Sequence, residues 1–93
     1  MSDGPRRVGV VVGPQRVTEG LRMASALALC DNEVDVVLTG ESLADSDEIA
    51  LHLDSLDLAE IPVSAAFDDP RVETMNWTAL RRRLEECEHV ITY

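Results

Sequence analysis

The run Arg7 to Gly13, RVGVVVG, sets the tightest limit on what this chain can fold into. Four valines in seven residues, without the polar alternation of a half-exposed strand, are the pattern of a strand buried on both faces. Such a strand belongs inside a parallel sheet with helices above and below it, which predicts an α/β protein. The glycine that closes the run marks a turn, and Pro14, Gln15 and Arg16 read as a short loop.

The rest of the chain repeats this unit. Thr18 is a plausible N-cap for a helix reaching about Cys30, with Leu21, Ala24, Leu27 and Ala28 on one face. Asp31 and Asn32 break it, and VDVVLTG from Val34 to Gly40 is a second buried strand. Asp45 and Glu48 have capping-box spacing, so a second helix is predicted from Ser46 to Ala59, with Ile49, Leu53 and Leu56 as its core face. Ile61 to Phe67 reads as a shorter third strand, stopped by Asp68, Asp69 and Pro70. Asn76 caps a third helix on which Trp77, Leu80, Leu84 and Cys87 recur at helical spacing, and His89 to Tyr93 forms the last strand. The expected architecture is βαβαβαβ: one domain over residues 1–93, three layers (α/β/α), and a four-stranded, mainly parallel sheet.

The segments VGVVVG, TEGLRMASALALC and EVDVVLTGES, together with the terminal HVITY, resemble the DsrE/DsrF family, which includes the small sulfur-relay subunits called Tus proteins. The resemblance covers nearly the whole chain and implies a DsrE-like fold, a homo-oligomer (dimer or trimer) and a link to sulfur metabolism. In relay members a persulfide-carrying cysteine commonly follows the third strand. Here that stretch runs Ser64, Ala65, Ala66, Phe67, Asp68, Asp69 and holds no cysteine, so the family's sulfur-transfer chemistry carries over to no matching residue.

Two other thiols, Cys30 and Cys87, are the alternatives for a sulfur carrier. A working thiolate needs exposure and a nearby positive potential. Both cysteines fall at predicted helix C-termini, where the macrodipole is negative, with Asp31 and Glu33 beside the first and Glu85, Glu86 and Glu88 beside the second. In a parallel sheet these helix ends lie at the edge opposite the ligand crevice. Two cysteines are also too few, and too far apart, for a disulfide scaffold, a zinc site or a CxxC redox motif. The expectation is a protein without catalytic residues, metal or cofactor.

The crevice itself is predicted at the carboxyl ends of the strands, where Gly13, Gln15, Arg16, Thr39, Gly40, Glu41, Asp68, Asp69 and Tyr93 collect. The glycines permit close backbone approach, and Arg16 with the first helix start suits a small anion; Glu41, Asp68 and Asp69 oppose one. A hard cation on those three acids is a weaker alternative to a plain strand terminator. No Walker or GxGxxG pattern is present, and His52 and His89 lack partners for acid–base work.

Charge and surface narrow the partners. The formal charge of −10 argues against nucleic acid, since phosphate backbones are repelled at long range. The run Arg81 to Arg83 is followed at once by Glu85, Glu86 and Glu88 and reads as a solvated helix face able to meet an acidic neighbour. No stretch is long and apolar enough to span a bilayer, and Met1 to Arg7 shows no signal region, so a cytoplasmic setting without membrane association is expected. Leu51 and Leu58 fall opposite the core face of the second helix and, with Trp77, form a candidate interface with another copy or a partner protein. Three functional readings follow: a non-catalytic DsrE-like binding protein, a persulfide carrier using Cys30 or Cys87, and a structural or regulatory subunit without a small-molecule site.

Overall fold

A computed structural model describes residues 6–93; the start of the chain up to residue 5, part of the segment read for a signal region, lies outside the described residues. The protein is α/β. Its elements are β1 (Arg7–Val12), α1 (Val17–Leu29), β2 (Glu33–Leu38), α2 (Asp47–Leu58), β3 (Val63–Ala65), β4 (Glu73–Thr74), α3 (Trp77–Glu85) and β5 (His89–Thr92). All strand pairs are parallel, in the order β4-β3-β2-β1-β5.

The valine run dictates the layering. Val8, Val10 and Val12 pair with Val34, Val36 and Leu38, and this row forms one core with Leu21 and Ala24 of α1 and Ile49, Leu53 and Leu56 of α2. Alternate residues point to the other face, where Val37 and Leu80 of α3 are fully buried. Gly9 shows how close α3 lies: a Cβ there would stand 2.8 Å from Leu84 Cδ2 and 3.2 Å from the Cys87 sulfur. The chain steps from β1 to β4 with α1 and α2 on one side, and α3 then carries it back across the opposite side to β5. Crossovers of one hand that step in opposite directions place their helices on opposite faces.

The sheet has five strands, not four. The extra strand, β4, is only two residues long and pairs Glu73 with Ser64 and Thr74 with Ala65. It carries no hydrophobic alternation, so periodicity could not signal it; what holds it is polar. The Met75 amide donates to the Ala65 carbonyl at 2.8 Å, the Thr74 hydroxyl donates to the Phe67 carbonyl at 3.2 Å, and Arg83 reaches Glu73 at 3.3 Å. The third strand is shorter than expected: Ile61 is a core residue before it, and Pro62 contributes a carbonyl that accepts from the Val36 amide at 3.0 Å.

Helix boundaries shift by a residue or two. The first helix starts at Val17 with Arg16 as N-cap, because Val17 is anchored in the core; the Thr18 hydroxyl donates to Glu48 of α2 instead. Ser46, not Asp45, caps α2 by accepting from the Ile49 amide at 3.1 Å. Asn76 caps α3 as expected, accepting from the Ala79 amide at 2.8 Å. Among the described residues no helix is long and apolar enough to cross a membrane.

Candidate functional site

At the carboxyl edge of the sheet the structure brings Gly13, Thr39, Gly40, Arg16 and Tyr93 together. The Gly13 amide donates to the Tyr93 carbonyl and the Tyr93 amide to the Val11 carbonyl, each at 2.8 Å. Thr39 turns both its amide (2.9 Å) and its hydroxyl (3.2 Å) onto the Val12 carbonyl. A Cβ on Gly13 would lie 3.1 Å from the Tyr93 carbonyl oxygen, so a larger residue there would require β1 and the end of β5 to give by a few tenths of an ångström. Gly40 has φ of 102°, in the region that favours glycine, and Pro14 packs over it.

These groups mostly satisfy one another. The Arg16 guanidinium lies 5.7 Å from the centroid of the Tyr93 ring and pairs with Glu19 one turn into α1. Its charge is therefore already partnered, and the Gly13 amide is already used. Gln15 and Glu41 are exposed beside this cluster.

Asp68 and Asp69 do not join it. Asp68 is exposed, whereas Asp69 accepts from the Arg71 amide (2.8 Å), Nε (2.9 Å) and Nη2 (2.7 Å). These hydrogen bonds hold the Asp69 carboxyl down at about 2, well below the usual carboxylate range. Arg71 also donates to the carbonyls of Leu43 (3.0 Å) and Ala44 (3.1 Å), stitching the loop after β3 onto the loop after β2. The sequence reading passed over Arg71; its one signal was the Asp-Pro-Arg spacing of a side-chain-closed turn. No group of three His, Cys, Asp or Glu side chains among the described residues could hold a metal ion.

A second polar cluster lies beneath the end of α3. Asp35 of β2 is buried and accepts from Arg7 Nε at 2.8 Å; Arg7 reaches Glu86 at 3.5 Å. The Cys87 thiol donates weakly to Asp35 Oδ2 at 3.8 Å and lies 3.6 Å from the Arg83 carbonyl. Burial, followed by the Asp35 charge, pushes this thiol above its ordinary value, and Arg7 offsets only part of that. Cys30 is exposed at the C-cap of α1, followed directly by Asp31. A third cluster joins Arg83, Ser64 and Glu73: Arg83 Nη1 donates to the fully buried Ser64 hydroxyl at 2.7 Å.

The predicted interface residues are at the surface: Leu51 is 66% exposed, Leu58 85% and Trp77 56%. Trp77 opens α3, and only Leu80 of that helix is buried. Leu29 and Val90 are also exposed. His52 is half-buried on α2 and His89 is exposed at the start of β5. A hollow of about 440 Å³ opens at the amino edge, lined by Arg7, Asn32, Glu33, Asp35 and Glu60 among others, with charges of both signs.

No family model matches the chain, and no curated protein or solved structure matches it.

Proposed function

We propose that this chain is a DsrE-like binding subunit, associated with sulfur metabolism, that self-associates and engages a partner protein through its surface and performs no thiol chemistry. What supports this reading is the state of the stretch Ser64 to Asp69. Where relay proteins of the resembled family carry sulfur, this chain has no cysteine, and the two polar side chains best placed to act are tied up internally: Ser64 by Arg83, Asp69 by Arg71. A group already satisfied by a charged partner must lose that bond before it can serve a ligand, which costs about 1.5–3 kcal/mol.

The Gly13–Tyr93 contact favours a narrower form of the same reading, a structural or regulatory subunit with no small-molecule site. At the mouth of the sheet the Gly13 amide is spent on the Tyr93 carbonyl and the Arg16 guanidinium is paired with Glu19.

The test is sulfur loading. Native protein is exposed to inorganic polysulfide, desalted, and mixed with a small acceptor thiol while intact mass is followed. A binding subunit gains no stoichiometric sulfur at a single cysteine and passes none on. One sulfur per chain, carried on Cys30 or Cys87 and handed to the acceptor, would establish the persulfide-carrier reading instead.

A further inference from the structure

The outer surfaces of α2 and α3 lie on opposite sides of the sheet and carry complementary features. On α2, Asp47, Leu51, Asp54 and Leu58 follow one another at spacings of four, three and four residues, so they form one stripe on the side away from Ile49, Leu53 and Leu56. All four are exposed. On α3, Trp77 is followed one turn later by Arg81, with Arg82 alongside, and all three are exposed. Among the described residues none of Asp47, Asp54, Arg81 and Arg82 forms an ion pair.

The spacings match. Asp54 to Leu58 and Trp77 to Arg81 are both four-residue steps, so two such helices laid antiparallel set Trp77 over Leu58 and Arg81 over Asp54. Apolar then meets apolar and cation meets anion. In a chain with 18 acidic and 8 basic side chains, a neighbouring pair of exposed arginines beside a tryptophan is the scarce half of such a contact. Tryptophan and arginine are also the residues on which interface energy concentrates.

We propose that the α2 stripe of one copy is covered by α3 of a second copy, in a head-to-tail contact. Because the two surfaces sit on opposite faces of each subunit, every copy offers one free donor and one free acceptor surface. Such an interface closes into a ring or continues as a chain, and does not stop at a symmetric dimer. Head-to-tail pairing deepens the surface role proposed above and rests on it only in making binding, not sulfur loading, the working property.

Sedimentation velocity over a concentration series, on the full chain, tests the contact with Leu58→Asp, Trp77→Asp and an equimolar mixture of the two. The wild-type chain should form species larger than two copies, while each variant alone should stay at the one-chain mass of 10.2 kDa, with association weakened about tenfold or more. The mixture should assemble and stop at two chains, since only one intact surface of each kind remains. Asp54→Arg and Arg81→Asp should each lose association and regain it when combined in one chain, which shows that loss reflects the contact and not misfolding. A wild-type chain that stays single at ~1 mM, a single variant that associates like wild type, or a mixture that does not pair would overturn the proposal. The polysulfide test reads thiol chemistry alone, so a failed contact between copies leaves the absence of thiol chemistry in the proposed function standing.

Discussion

The Cys87 sulfur lies 3.8 Å from Oδ2 of Asp35, and that same oxygen accepts a 2.8 Å hydrogen bond from Arg7 Nε. A carboxylate thus stands between the thiol and the nearest cation. The thiolate form is disfavoured by burial and by the Asp35 charge, and the cation that would favour it is engaged elsewhere.

Replacing Asp35 with Asn removes the charge and keeps the shape. Arg7, then paired only with Glu86, acts more strongly on the thiol, so alkylation of Cys87 at pH 7.5 should accelerate about threefold to tenfold, half to one pKa unit. Labelling rates in a Cys30→Ser background read this directly. An unchanged rate would mean that Asp35 does not govern the thiol.

Gly20 of α1 packs against Val12, and a Cβ there would stand 2.6 Å from Val12 Cγ1. Alanine at a helix interior ordinarily gains about 1 kcal/mol over glycine, while forcing an extra methyl into a packed core costs about 1–3 kcal/mol. The clash should win: with the helix gain of about 1 kcal/mol set against it, Gly20→Ala is expected to destabilise the fold by up to about 2 kcal/mol. Urea denaturation of Gly20→Ala with and without Val12→Ala should show a favourable coupling between the two changes.

The Asp69–Arg71 fork makes stability depend on acid. With the folded carboxyl at about 2 and the unfolded one near 3.8, its contribution is full above the unfolded value and fades as pH falls through the folded one. Arg71→Ala should therefore cost about 1–2 kcal/mol at pH 6 and noticeably less at pH 2. Chemical denaturation at the two pH values checks the sign; an equal loss at both would assign the effect to the Leu43 and Ala44 carbonyl contacts alone.

Arg83 holds the smallest strand in place through Ser64 and Glu73. Arg83→Ala leaves the fully buried Ser64 hydroxyl without its cation and frees β4 from α3. Amide exchange at Met75, whose N–H donates to the Ala65 carbonyl, should accelerate more than exchange in β1 or β2. Uniform acceleration across the sheet would instead indicate a global loss of stability.

The hydrophobic scaffold was legible before the structure. The Val8, Val10, Val12 row, the helix faces Leu21–Ala24 and Ile49–Leu53–Leu56, and the Asn76 cap all follow from period and composition. What escaped was held by polar contacts between residues distant in sequence: β4, pinned from α3 by Arg83 at a separation of ten residues, and the Arg71 bridge to carbonyls 27 and 28 residues away. Periodicity encodes burial, not such pairings. The carboxyl-edge residues were gathered by topology, and Gly13, Arg16, Thr39, Gly40 and Tyr93 do meet there, but no pattern in the chain announces that Tyr93 occupies the Gly13 amide.

Burial and the Asp35 charge disfavour the thiolate of Cys87, the more enclosed of the two cysteines. The most direct measurement is the pH dependence of Cys87 alkylation in the folded Cys30→Ser protein. The rate should stay low through neutrality and still be rising above about pH 8.5, the ordinary thiol value. A plateau already reached near pH 7 would instead show a stabilised thiolate beside Asp35, the opposite of what burial and the Asp35 charge impose.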